Sequence, residues 1–177
     1  MLKIDDGRFR AADERFRDHM RKMSEDVPFT GFDHPFLQSD EIDYKHEVRK
    51  RAREELALDQ WDSWKKTTGK ILKATQEACR QSNSQNLLEH RYGPNNSDAP
   101  LHRSEEKGTV KELEQQLYLF LRGGPSSRGE FGPRFDAFAG YLRENSLGCK
   151  WPLMAYLAFL LPSEEYFPVH AGAFQRL

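Results

Sequence analysis

The chain has 177 residues, 37% of them hydrophobic, 31% charged and 12% aromatic, with a net charge of −1. Twelve Phe and three Trp exclude a wholly disordered chain and support a core of modest size, within one expected domain. A near-neutral charge excludes coating of nucleic acid by bulk charge, so any such contact needs a local basic patch.

Residues 8–24 predict an amphipathic helix, with Phe9, Ala12, Phe16, Met20 and Met23 at helical spacing. Residues 27–37, VPFTGFDHPFL, hold two prolines and a glycine, so they read as a loop pinned by Phe29, Phe32 and Phe36. A long polar helix is expected over about 40–80. Its stripe runs through Ile42, Val48, Ala52, Leu56, Trp61, Trp64 and Ala78, and Gly69 is its weak point. Residues 81–104 are rich in Asn, Ser, Pro and Gly and predict a long loop.

Thr109 and Glu112 are spaced as a capping box, opening a helix that runs to Leu121 and stops at Gly123, Gly124 and Pro125. Pro133 suits the first turn of the next helix, which ends near Asn145. Pro152 and Pro162 bracket a short apolar helix, Leu153 to Leu161, expected at the centre of the core. YFPVHAGAF, residues 166–174, reads as a short extended segment, and no hairpin signal is present. The expected fold is therefore mainly α and bundle-like, with little or no sheet. A charged part, 1–104, joins a helical core, 105–177, within one structural domain.

Chemistry is sparse. Cys79 and Cys149 are too few for a disulfide framework or a zinc knuckle. His90, Asn95, Asn96 and His102, and separately Asp98 with Glu105 and Lys107, match nuclease motifs in letters but lack the strands those motifs need. No GxSxG elbow or P-loop occurs. The reading is of no catalytic residue, no metal and no cofactor.

Two surfaces are expected instead. Lys45, Arg49 and Arg53 share a helical face, widened by Lys50 and extended by Lys66, Lys70 and Lys73, as a candidate phosphate-contacting stripe. Trp61 and Trp64, with Phe29 and Phe32, are candidates for a protein-partner interface. The N-terminal MLKIDDGRFR lacks a signal peptide's apolar stretch, and the longest apolar run is about 9 residues, too short to span a bilayer. A cytoplasmic protein without membrane contact is expected.

Within residues 135–174 an aromatic amphipathic helix leads to Lys150-Trp151-Pro152-Leu153, then Phe159-Leu160, Pro162 and Phe167-Pro168-Val169. This order resembles a WPL-containing segment of uncharacterised bacterial proteins, in which such a helix leads to a short apolar strand. The resemblance implies a bacterial, antiphage-defence setting and carries over no active residue. The expected function is a non-enzymatic helical subunit that binds a protein partner or a second copy of itself, within a nucleic-acid-processing or defence complex. A nucleic-acid-binding protein using the 45–73 face is the alternative, and a metal-dependent nuclease using residues 90–107 is third.

Overall fold

The computed structural model describes residues 6–31, 33–82, 87–88, 96–122 and 128–162. The fold is mainly α and bundle-like, with no strand among those residues. The chain divides into two units, residues 1–47 and 48–177.

In the first unit, α1 spans Asp6–Met23, with Asp6 in its first turn and Arg21 and Lys22 in its last, the arrangement that suits the helix dipole. Glu25 and Asp26 adopt left-handed backbone (φ 54° and 70°) and end it. The Asp26 N–H returns to the Arg21 carbonyl at 3.0 Å, and Ser24 Oγ donates to the Met20 carbonyl at 2.6 Å. Arg17 is held to Asp13 at 2.8 Å and donates to the Phe29 carbonyl at 3.0 Å. Phe29 meets Phe16 edge-on, 5.0 Å between centroids. Of the three phenylalanines expected to pin the loop after α1, Phe29 does so against α1, Phe32 lies outside the described residues, and Phe36 falls in a helical turn and not in the expected loop. Pro35 then opens a single turn, α2 (Pro35–Leu37), which passes through a π-helical stretch, Gln38–Ile42, into α3 (Asp43–Leu56).

The expected long helix does not continue. After α3, Ala57 turns left-handed at φ 45°, followed by a 3-10 turn, Leu58–Gln60, and a short α4, Trp61–Trp64. The reason lies in Trp61, which is fully buried and donates its indole N–H to the Leu56 carbonyl at 2.7 Å, capping the end of α3. Burying a Trp contributes roughly 4–6 kcal/mol, against about 1–2 kcal/mol for a left-handed alanine. Packing therefore outweighs helix continuity.

A second break precedes α5 (Lys70–Arg80), where Gly69 adopts φ 95°. The buried Glu114 carboxylate of α7 (Val110–Arg122) accepts the Gly69 and Leu72 N–H groups, both at 2.9 Å. It is a cap supplied from another helix, 45 and 42 positions away.

The expected loop over 81–104 holds a helix instead, α6 (Ala99–Glu106), with Pro100 in its first turn. Leu87 and Leu88, also within that stretch, are buried. Thr109 precedes α7 as expected, but its hydroxyl makes no capping bond and lies against the Tyr141 hydroxyl. α8 (Arg128–Glu144) begins five positions before Pro133, which therefore sits inside the helix and not in its first turn. The upstream extension places Phe131 5.7 Å from Phe120, which also stacks on Phe138 at 5.0 Å.

The carbonyls that follow α8 are captured by Arg103 of α6 and by Lys107 just beyond its end. Lys107 Nζ donates to Asn145 and Ser146 at 3.0 and 3.1 Å, and Arg103 donates to Leu147 at 2.9 Å. Gly148, at φ 92°, closes the turn, and a Cβ there would stand 2.5 Å from Arg103 Nη1.

The apolar helix is α9 (Trp151–Phe159), and every residue from Pro152 to Phe159 is buried. Tyr156 donates its hydroxyl to the Ala78 carbonyl at 2.8 Å. The short central helix expected between Pro152 and Pro162 is present. Residues 166–174, expected as an extended segment, lie outside the described residues. Among the described residues, no helix is long and apolar enough to cross a membrane.

Candidate interaction surfaces

The basic stripe is built differently from its spacing. Lys50, Arg53, Lys66, Lys70 and Lys73 are exposed. Lys45 is half-buried, its ammonium 4.7 Å from the Tyr44 ring centroid. Arg49 does not belong to the exposed stripe. It is 7% exposed, its Nη2 donates to the Leu161 carbonyl at 2.6 Å, and its guanidinium lies 5.2 Å from the Phe159 centroid. Its position one residue after Val48, and three before Ala52, puts it on the buried side of α3. There it places a cation at the C-terminal end of α9, where free carbonyls favour positive charge.

The proposed aromatic interface is also revised. Trp61 is core, as described, and has no surface to offer a partner. Trp64 is half-buried, and Phe29 is half-buried against Phe16 and Arg17. Phe32 lies outside the described residues.

The nuclease strings divide in two. His90 and Asn95 lie outside the described residues. Asp98, His102 and Glu105 do come together on α6 and the turn before it. His102 Nε2 sits 3.4 Å from Asp98, and its Nδ1 is 3.8 Å from Glu105 and 3.5 Å from the Gln76 amide. Gln76 in turn donates to Glu105 at 3.1 Å. Lys107 is turned away to the end of α8. Among the described residues, no group of three or more His, Cys, Asp or Glu could hold a metal ion. Burial pushes the Cys79 thiol upward, so it is a packed thiol and not a nucleophile.

One surface network joins α4 to α7. Tyr118 donates its hydroxyl to Asp62, and Arg122 donates to the other carboxylate oxygen, with Lys65 at 3.5 Å. The Tyr118 bond first, then Arg122, holds the Asp62 carboxyl at about 2.

Two exposed apolar features were not read as surfaces from the sequence. On α1, Phe9, Phe16 and Met23 are 60%, 41% and 50% exposed, although periodicity marks them as a buried face. Trp151, 54% exposed, meets the half-buried Phe135 at 5.3 Å, and Phe135 meets Phe131 at 6.0 Å. Periodicity finds an apolar row and is silent on whether anything covers it. The charged residues that fill the rest of α1 are the available signal.

No protein-family model matches the chain, and neither the curated proteins nor the solved structures include a significant match.

Proposed function

We propose that the chain is a non-enzymatic helical subunit that binds another protein through α1. The observation that carries this reading is the exposed row Phe9, Phe16 and Met23 on a helix whose other faces are charged. Exposed rows of large apolar side chains mark interaction sites, because each leaves surface in water that a partner would remove. Four charged side chains, Arg49, Arg103, Lys107 and Glu114, are employed in holding backbone groups near helix ends, which supports a scaffold more than a reaction centre. The setting we propose, a nucleic-acid-processing or antiphage defence complex, rests on the resemblance of residues 135–174 alone.

The test is co-purification of the natively expressed protein with mass measurement of the complex. The wild type should retain a partner in fixed ratio. A Phe9→Glu/Phe16→Glu variant with unchanged helical circular dichroism should lose it. A wild-type chain that runs alone, indistinguishable from the variant, overturns the reading.

A second reading, nucleic-acid binding, is favoured by the exposure of Lys50, Arg53, Lys66, Lys70 and Lys73. It predicts binding that weakens steeply with salt and is lost in a Lys66→Glu/Lys70→Glu/Lys73→Glu variant.

A further inference from the structure

The α1 row repeats every seven residues, at Phe9, Phe16 and Met23, with Ala12 and His19 between, all of them exposed. A seven-residue apolar repeat on a helix is the seam by which a second helix packs alongside. The two edges of this seam differ. One edge carries Arg8, Arg15 and Lys22, each immediately before a seam residue and each exposed. The other carries Asp6, Asp13 and Met20. Asp13 is held by Arg17 at 2.8 Å, and Met20 is 2% exposed. Basic charge therefore meets a partner helix on the Arg15 and Lys22 side alone.

Taking this together with the protein-binding reading on which it rests, we infer that α1 docks an amphipathic helix whose apolar residues recur every seven positions beside an acidic edge. A second copy of this chain fits poorly. Antiparallel pairing of two α1 helices sets basic edge against basic edge, with Arg15 facing Arg15 and Arg8 facing Lys22. Parallel pairing needs the edge that includes Met20, which the chain already covers. Like charges face to face oppose association, and opposite charges across the rim favour it.

The inference is tested with full-length protein and two synthetic 21-residue helical peptides, each with Leu at the seam positions. One carries Glu on both flanks and the other Lys, and binding is read by fluorescence anisotropy at low and high salt. The Glu peptide should bind about tenfold or more tightly than the Lys peptide, a difference that shrinks with added salt. Phe16→Glu should abolish binding of both. Arg15→Glu/Lys22→Glu, two exposed changes, should invert the preference.

Equal binding of the two peptides, or binding indifferent to Arg15→Glu/Lys22→Glu, overturns the acidic partner. So does a stable dimer in sedimentation that Phe16→Glu dissolves, although that result would leave protein binding through α1 standing. Duplex or single-stranded DNA that binds despite Phe16→Glu and is lost with Arg15→Glu/Lys22→Glu overturns it as well. Failure of the wild type to bind either peptide, another copy of itself or a co-purified protein removes both this inference and the reading beneath it.

Discussion

α1 and α9 both carry large apolar side chains, and they use them in opposite ways. Every residue of α9 from Pro152 to Phe159 is buried, while α1 buries Met20 and leaves Phe9, Phe16 and Met23 exposed. The difference lies in what the rest of the chain supplies. α9 receives Arg49 beyond its last turn and gives its Tyr156 hydroxyl to Ala78, so its polar ends are satisfied inside the protein. For α1, the loop that returns beside it touches the seam only at Phe16, through Phe29, and leaves Phe9 and Met23 exposed. Apolar content alone does not decide burial. Burial requires a neighbour that covers the side chains and partners for the backbone that goes with them.

That contrast can be broken most sharply at α9. Leu157→Ala should lower unfolding stability by about 2–5 kcal/mol in urea titration, because the fully buried side chain leaves a cavity. A cost under about 1 kcal/mol would mean that α9 is not the packed centre. Next in size is Arg49→Met, expected to cost about 1.5–3 kcal/mol, since a charged hydrogen bond to the Leu161 carbonyl is lost; Arg49→Lys should recover part of it.

The Asp62 network offers a pH test. Its carboxyl titrates at about 2 in the folded chain against an ordinary 3.8, so the folded state favours the ionised form. Its stabilisation is present above the ordinary value and is lost as pH falls from there through about 2. Asp62→Asn should therefore be less stable than wild type at neutral pH and converge with it below about pH 2 in parallel thermal melts. A difference between the two that persists at the acid end would place the effect elsewhere. The smallest effect belongs to α1. Phe9→Ala should change stability by about 0.5 kcal/mol or less, as surface substitutions do. If Phe9→Ala costs as much as Leu157→Ala, the exposed seam is not exposed in solution.

Much of the helical layout was legible because periodicity and punctuation agree. Gly69 and Pro152 marked ends that local chemistry enforces. The break at Ala57 was not legible, since alanine favours helix and the cause is Trp61 folding back to the Leu56 carbonyl. α6 hid inside a stretch of loop-like composition. Its signal was Asp98-Ala99-Pro100, a proline in the first turn after an acidic residue. The start of α8 was not legible, since Pro133 is a good opening residue, yet the helix extends upstream of it with Phe131 packed on Phe120.

The surfaces were less legible than the helices. Arg49 was counted with the exposed cations by its spacing from Lys45 and Arg53, and Trp61 with the interface aromatics by its spacing from Trp64. Both spacings are correct. The side Arg49 faces is set by Leu161, 112 positions away, and the side Trp61 faces by the turn of the chain after Leu56.

The bond from Arg49 to Leu161 spans 112 positions, and that from Tyr156 to Ala78 spans 78. Synthesis runs from the N-terminus, so α3 and α5 leave the ribosome before the helix they will receive. The stickiest segment of the described chain therefore emerges when its docking partners have already been made. A circular permutant that moved α9 ahead of α3 would release an uncovered apolar helix first, and its yield of soluble protein should fall even if the finished fold were equally stable.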